Sequence, residues 1–353
     1  MRPQNYITMF SEKQNNNMAN LPPHTTHTVR ERNIALDLLK VIAVLLITNS
    51  HFRVLYQDIN PALATGGVPG NAMFFFVSGF ALTLGTSAKG SYIDFVKNKI
   101  RRLLPTFIVW NIFANIFSLK DISWKDFILI PEYWFVQCIF IMYLFIYPFL
   151  HMNKKTFMCL MMGSVLIMLT MMLLFSYPDR SVFNDITLRY FCYLTPFIFG
   201  LYCGIHNDKI KSCGRHRDGL IGLILFASYF VVISFGKCKE NWMYYTEILA
   251  LIPLNLFILF LYRFFSLKNI LKTVMDNKLL FFCIRFFFLL SLQIYVVQFY
   301  LITDNYNRLF PLNFLIVFLI ILVCAYCLHI FTRLFEQTLS KESWNIRRIL
   351  HID

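Results

Sequence analysis

Charged residues are scarce in this sequence. Only 15% of its 353 residues are Asp, Glu, Lys or Arg, whereas 58% are hydrophobic and the mean hydropathy is +0.57. A soluble globular domain has about 25% charged and about 45–50% apolar residues. No soluble fold of this length has an interior large enough for so much apolar surface. The composition therefore excludes a water-soluble protein and indicates a polytopic membrane protein.

The sequence also lacks the patterns of disulfide frameworks, metal sites and secreted precursors. Most of its nine cysteines lie inside apolar runs, where they are expected to act as small hydrophobic residues. We expect no metal and no permanently bound cofactor. The polar N-terminal stretch has no basic-then-apolar signal pattern. We predict a mobile cytoplasmic tail at 1–33, a transmembrane domain at 34–332 and a short cytoplasmic tail at 333–353.

Long apolar runs fill the rest of the chain. A helix needs roughly 20 apolar residues to cross a hydrocarbon core about 30 Å thick. Barrel strands, by contrast, have about 10 residues that alternate in polarity. We predict an all-α bundle of about ten transmembrane helices, without an internal repeat of the kind seen in many transporters. The predicted spans are 34–56, 68–86, 103–119, 131–151, 157–177, 187–205, 218–236, 243–265, 279–302 and 309–332.

The distribution of charge predicts the orientation. With ten spans and both termini in the cytoplasm, most Lys and Arg residues fall in cytoplasmic segments, as the positive-inside rule requires. This bias accounts for the net charge of +14 without nucleic acid as a partner. We expect a multi-pass protein of the cell (inner, cytoplasmic) membrane, whose inner positive charge faces anionic lipid or an anionic substrate.

The first span has the densest set of ionisable residues: Asp37, Lys40 and His51. Eleven positions on a helix make about three turns, so Lys40 and His51 project from one face, about 16–17 Å apart along the axis. Asp37 lies on the same stripe and can pair with Lys40. Ionisable groups at membrane depth are costly and indicate function by default. The alternative for His51 is an inert histidine at the lipid–water interface.

Other polar groups have weaker patterns and open alternatives. Ser78 lies in an aromatic run. It either belongs to a functional site or, as a small residue, lets two helices pack closely. Lys99 and Arg102 precede the third span as a phosphate clamp or as topological anchors. Arg285 lies at the same inner depth as Lys40 and needs a partner such as Asp37 or a phosphate. Within the ninth span, Gln293 and Gln298 provide either a site or interhelical hydrogen bonds.

Together these residues resemble acyltransferase family 3, whose members transfer acyl groups, often acetyl, to sugars and other acceptors. The similarity covers roughly residues 32–300, and the basic-x10-His pattern is its most specific part. The matching stretches are Asp37-x-x-Lys40-x10-His51, Phe75-Phe76-Val77-Ser78-Gly79-Phe80, Lys99-x-x-Arg102-x-x-Pro105, Trp134-Phe135 with Tyr143 and Pro148, and Ser291-x-x-Ile294-Tyr295.

The chain departs from the family pattern at two positions. Lys40 stands where the family commonly has Arg. Lysine keeps the positive charge but lacks the planar guanidinium of arginine. Gln298 stands where the family often has His, and glutamine cannot transfer protons as histidine does. Some members also carry a soluble esterase-like domain after the spans, whereas this sequence ends soon after the last one.

The resemblance implies a membrane O-acyltransferase, most often an O-acetyltransferase, with acetyl-CoA or another acyl-CoA as the cytoplasmic donor. It implies a cell-surface or lipid-linked glycan as acceptor. The expected catalytic residues are His51, as the general base or a transient acyl carrier, together with Lys40 and Asp37. The expected substrate-binding residues are Lys99, Arg102, Arg285, Ser78, Trp134 and Gln298.

Two other function classes stay open. One is a transporter or flippase for a polysaccharide or lipid-linked sugar, and the other is a non-catalytic partner of a polysaccharide synthase. Besides the acceptor and membrane lipids, a second copy of the chain or the polysaccharide-synthesis machinery is a possible partner. Acyl transfer by the purified protein, compared with a His51 variant, discriminates these classes.

Overall fold

The computed structural model describes residues 33–84, 91–117, 133–174, 181–185, 187–210, 212–236, 243–340 and 344–350. The predicted N-terminal tail, apart from Asn33, lies outside these residues. The described parts of the chain contain helices and turns but no strand, which confirms the all-α prediction. The eight cysteines among them are all free, and Cys159 and Cys327 are exposed rather than buried.

Twelve α-helices make up the described structure. They are α1 (Ile34–His51), α2 (Gly67–Leu84), α3 (Tyr92–Ile116), α4 (Trp134–Ile146), α5 (Lys154–Leu174), α6 (Leu188–Ile205), α7 (Arg215–Gly236), α8 (Leu251–Phe265), α9 (Lys268–Asp276), α10 (Lys278–Leu301), α11 (Leu312–Leu339) and α12 (Ile346–Leu350).

Eight helical segments of the described chain are long and apolar enough to cross a membrane. They contain α1, α2, α5, α6, α7, α8, α10 and α11. The chain is therefore a multi-pass membrane protein. The predicted third and fourth spans overlap α3 and α4, which are not among these eight segments. Even with its continuation as a 3-10 turn to Phe149, α4 is shorter than each of the eight. Helix α11 continues past the end of the tenth predicted span at 332, to Leu339.

The start of α3 differs from the predicted span at 103–119. The helix begins at Tyr92 because Ser91 caps it: the Asp94 backbone N–H donates to the Ser91 hydroxyl at 3.2 Å. Its first turns are charged and its apolar part begins at Leu103. The residues Lys99 and Arg102 are consequently held on a regular helix rather than on a loop.

The tightest contact in the bundle joins α2 and α6. A Cβ atom added to Gly79 would collide with the backbone carbonyl oxygen of Phe197, and one added to Gly200 would collide with that of Phe76. Only glycine permits so close an approach of two backbones. Phe75 stacks on Tyr193 and the Thr83 side chain lies against Gly204, so residue numbers rise together along the two helices and α2 and α6 run in the same direction.

Helix α1 lies between α2 and α10. A Cβ on Gly70 of α2 would be 2.8 Å from the Ala43 carbonyl oxygen, and one on Gly67 would be 2.7 Å from the Ser50 hydroxyl. The start of α2 therefore lies beside the end of α1. We call this the His51 end of the bundle and the opposite one the Lys40 end. Because α6 is parallel to α2, its first residue, Leu188, lies toward the His51 end.

Candidate active site

Lys40 projects from α1 toward aromatic rings of two neighbouring helices. Its Nζ atom lies 4.4 Å from the ring centroid of Phe288 on α10 and 5.9 Å from that of Phe74 on α2. Such distances are typical of cation–π contacts. Asp37, one turn earlier on α1, is buried with 6% of its surface exposed. A charged group at this depth is stabilised only by partners, and none of Asp37, Lys40 and Arg285 is without one.

His51 ends α1 and packs against the same helix as Lys40. Its ring contacts Phe299 of α10 edge-on, with 4.5 Å between the centroids and 64° between the planes. Phe288 and Phe299 have the same eleven-residue spacing as Lys40 and His51. The two helices are therefore parallel, and both side chains face α10, as the helical period predicts. Along α1 they are about 16–17 Å apart and do not touch each other.

The loop after His51 is tied to α1 by Asn49. The Asn49 amide donates to the carbonyl oxygens of Leu63 and Thr65 at 3.0 and 2.9 Å, and its oxygen accepts from the Tyr56 hydroxyl at 2.8 Å. These bonds use both N–H donors of the Asn49 amide, so Asn49 holds the loop that flanks His51.

The third motif meets the second one through Tyr143 on α4. The Tyr143 hydroxyl lies near the side chain of Ser78, and the Nζ atom of Lys99 lies 5.0 Å from the Tyr143 ring centroid. Arg102 is close enough to interact electrostatically with both Tyr143 and Lys99. Ser78 lies one helical turn from Phe74, which contacts Lys40. The structure thus brings Ser78, Lys99 and Arg102 together, toward the Lys40 end.

Lys99 lies ahead of the apolar part of α3, and its ionisation is perturbed. Burial, together with the positive charge of Arg102, lowers the pKa of Lys99 to about 8. The side chain is positively charged at neutral pH and loses its proton as the pH rises through this value. A buried cation whose charge is opposed by a neighbouring cation is stabilised by an anionic ligand.

Arg285 contacts an aromatic ring on its own helix, α10. Its guanidinium carbon lies 5.8 Å from the ring centroid of Phe281, one turn earlier on α10. Phe288, which contacts Lys40, lies nearly one turn later on the same helix. Arg285 therefore belongs to the Lys40 end, on the helix that Lys40 faces.

Gln298 and Trp134 lie toward the His51 end. Gln298 is completely buried beside Phe299, and neither its amide nitrogen nor its oxygen has a hydrogen-bond partner among the described residues. Buried polar atoms without partners are rare, and each demands an explanation. Trp134 stacks on the guanidinium of Arg189, with 4.3 Å from its carbon to the ring centroid.

Arg189 is the residue that the motif search missed. It lies inside the predicted span 187–205, so the rule that marks ionisable groups at membrane depth was sufficient to find it. In addition to Trp134, Arg189 has Tyr193 and Tyr295 near it, both close enough for electrostatic interaction. The family motifs do not include Arg189. Its neighbours Trp134 and Tyr295 come from distant parts of the chain, so no short motif could contain the whole group.

The site as a whole has two chemically different ends. Toward the Lys40 end, Lys40, Lys99, Arg102 and Arg285 provide positive charge that suits phosphates. Toward the His51 end, an imidazole and an unsatisfied amide lie among aromatic rings. The residues that the structure describes include no group of three or more His, Cys, Asp or Glu arranged to hold a metal ion.

Comparison with known proteins identifies the family of the chain. A family model described as "Acyltransferase domain", that of acyltransferase family 3, matches residues 33–332. The searches of curated proteins and of solved structures gave no match. The matched range contains every helix that carries a candidate site residue and covers most of the sequence. The chain therefore belongs to acyltransferase family 3 and is a membrane acyltransferase.

Proposed function

We propose that the protein transfers an acyl group, most often acetyl, from acyl-CoA to a hydroxyl of a cell-surface or lipid-linked glycan. The observation that carries this proposal is the stripe on α1, where a cation and an imidazole face the same helix about three turns apart. The donor binds at the Lys40 end, and the acceptor reacts at the His51 end.

The cations suit the donor. Acyl-CoA has several negatively charged phosphate oxygens, which Lys and Arg side chains bind through charge-assisted hydrogen bonds. Lys99 and Arg102 lie beside Tyr143 and Ser78, on the side of α2 that also contacts Lys40. We assign Lys99, Arg102 and Arg285 to the phosphates. Asp37 offsets the charge of Lys40 or Arg285 and takes no part in bond making.

His51 is the group suited to the chemical step. As a general base, its imidazole takes the proton of the acceptor hydroxyl while the oxygen attacks the thioester carbonyl. The carbon–sulfur bond breaks, and the imidazolium returns its proton to the departing thiolate. As a nucleophile, the imidazole instead carries the acyl group briefly before the hydroxyl takes it. Either way Gln298, where the family often has His, binds the acceptor and transfers no proton.

We further propose a topology of ten membrane spans with both termini in the cytoplasm. In this topology the charged first turns of α3 lie at the cytoplasmic surface. Helices α3 and α4 then cross the membrane in addition to the eight segments described above. This orientation puts Lys40 toward the cytoplasm, where acyl-CoA is made, and His51 toward the outside, where a glycan is exposed. We further propose that this membrane is the cell membrane.

Acyl transfer by purified protein tests the proposal. The wild-type protein in nanodiscs is given radiolabelled acetyl-CoA and a mixture of saccharides, and His51→Gln is compared with it. His329→Gln is the matched control, because His329 is another helical histidine, on α11. We expect transfer by the wild type and His329→Gln and at least a hundredfold loss in His51→Gln. Full activity of a folded His51→Gln protein would refute the assignment of His51.

A further inference from the structure

A short helix at the Lys40 end, α9, carries none of the residues assigned to the proposed chemistry. It joins α8 to α10, and Asn277 separates it from α10. The Asn277 backbone is extended, and its side-chain oxygen accepts from the Leu280 backbone N–H at 3.0 Å, which caps the next helix. Because α10 passes Lys40 before it reaches His51, its first residue lies at the Lys40 end, and α9 lies there with it.

The side chains of α9 divide into two opposite faces. At about 100° per residue, the apolar side chains fall within an arc of about 140°, and the polar ones fill the opposite arc. All of the polar side chains are exposed. The apolar face has Ile270, Leu271, Val274 and Met275, and the polar face has Lys268, Asn269, Lys272, Thr273 and Asp276. This division is typical of a helix that lies in the plane of a membrane surface.

Val274 fixes the apolar face of α9 on two spanning helices. It is buried in a small cluster with Val41 of α1 and Ile284 of α10. Met275, on the same face, and Leu279, at the start of α10, are exposed. In a multi-pass protein, exposed apolar side chains beside a spanning helix reach the hydrocarbon. Helix α9 therefore lies at the boundary between lipid tails and head groups.

The cluster around Val274 also supports the cations of the proposed donor site. The rings of Phe281 and Phe288 pack against this cluster. Phe281 contacts the guanidinium of Arg285, and Phe288 contacts the Nζ atom of Lys40. A ligand that holds α9 against the bundle therefore also stabilises the packing of these two rings.

Three exposed lysines lie along this boundary. Lys268 and Lys272 are one turn apart on the polar face of α9, and Lys278 begins α10. Asp276 is the one acidic residue in the segment 268–278. The ion pairs found in the described parts of the chain include none of these four residues. Each lysine near an anionic membrane surface strengthens the attraction about fivefold, so this segment suits anionic head groups.

We propose that α9 forms a site for anionic phospholipid, at which Lys268, Lys272 and Lys278 bind head groups and the bound lipid holds Val274 in its cluster. The direction of the lysines selects lipid rather than acyl-CoA as the occupant. Lys268 and Lys272 project about 120° and about 160° away from Val274. Val274 faces α1 and α10, so the lysines point away from the donor cations. This lipid site does not depend on the proposed function.

Titration of the purified protein with phosphatidylglycerol and with phosphatidylcholine, followed by native mass spectrometry, tests the site. We expect the wild type to bind phosphatidylglycerol about tenfold or more tightly than phosphatidylcholine. A triple variant with Lys268→Gln, Lys272→Gln and Lys278→Gln keeps residues that favour a helix and is expected to lose this preference. Replacement of the same three lysines by arginine keeps the charge and is expected to keep the preference.

Lys154→Gln combined with Lys155→Gln is the matched control. Both lysines are exposed and begin α5, outside α9. Phe157 of α5 stacks on Tyr202, near the end of α6, with 4.2 Å between the ring centroids. The two control lysines therefore also lie toward the Lys40 end. This variant is expected to bind phosphatidylglycerol like the wild type.

Two further measurements test the effect of lipid on the cluster around Val274. Phosphatidylglycerol is expected to raise the Tm of the wild type and of the control but not that of the triple variant, because a ligand stabilises the folded state that binds it. Hydrogen exchange in residues 34–41 of α1, which include Val41, is expected to slow in the wild type alone of the wild type and the triple variant. Unchanged exchange in the wild type at saturating lipid would overturn the role of lipid in holding Val274.

The outcomes separate this inference from the proposed function. Equal affinity of the wild type and a folded triple variant for phosphatidylglycerol would overturn the inference, as would an equal loss in the control. In lipid-free detergent the triple variant is expected to bind acetyl-CoA like the wild type, and a raised Kd would assign the lysines to the donor and overturn the lipid site. His51→Gln is expected to bind phosphatidylglycerol normally, so a failure of acyl transfer concerns the proposed function alone.

Discussion

The proposed contact between Lys99 and a donor phosphate predicts that donor binding depends on pH in a defined direction. Burial and Arg102 lower the pKa of Lys99 to about 8. With this pKa, about 90% of the Lys99 side chains carry a proton at pH 7 and about 10% at pH 9. If Lys99 binds a donor phosphate, the KM for acyl-CoA must rise as the pH increases through about 8. Bound phosphate stabilises the protonated form, so donor binding in turn raises the pKa of Lys99.

The size of the effect follows from the contact that is lost. A hydrogen bond to a charged partner contributes about 1.5–3 kcal/mol when it is shielded from water. Lys99 is only partly buried and lies near a charged surface, which reduces this value through screening. We expect the KM for acyl-CoA to rise about threefold to tenfold between pH 7 and pH 9. The assay measures initial rates over a range of acetyl-CoA concentrations at each pH.

Two variants at position 99 isolate this titration from that of other groups. Arginine stays protonated throughout this range, so Lys99→Arg is expected to keep a low KM at pH 9. Lys99→Met has no charge at either pH and is expected to show a high KM that does not change between them. A rise in KM near pH 8 that persists in Lys99→Arg would refute the reasoning, because another group would then be responsible.

Three further changes test other parts of the structure. Gly79→Ala forces a methyl group against the Phe197 carbonyl and is expected to destabilise the fold by about 1–3 kcal/mol. This loss is measured as a lower Tm. The control is Gly163→Ala, which has open space around it and should not lower the Tm. Gln298→Leu removes two unsatisfied buried atoms, so the Tm should rise while transfer falls, and unchanged transfer would exclude Gln298 from the acceptor site. Lys40→Arg is expected to keep transfer and Lys40→Met to lose it, and equal rates in the two variants would show that the charge is dispensable.

The arrangement on α1 was predictable because it depends on one helix. Lys40 and His51 share a face by the helical period alone, and both contact α10 in the structure. The close approach of α2 was predictable for a similar reason, since Gly79 in an aromatic run leaves a gap that a neighbouring backbone fills. Local geometry and hydropathy sufficed for both.

Contacts between distant segments could not be predicted in this way. Arg189 and Trp134 are far apart in sequence, and their stacking depends on how α4 and α6 pack. The link from Ser78 through Tyr143 to Lys99 likewise joins three helices. The start of α3 was missed because hydropathy reports where apolar residues begin, whereas the helix begins at the cap provided by Ser91.

Transfer across a sealed membrane tests the central claim most directly. Proteoliposomes with the protein in a single orientation are prepared with saccharide inside, and labelled acetyl-CoA is added outside, at the Lys40 end. We predict labelled saccharide inside the vesicles of the wild type and none in those of His51→Gln. Product that forms only when donor and saccharide share one compartment would contradict an acyl transfer that runs from the Lys40 end to the His51 end.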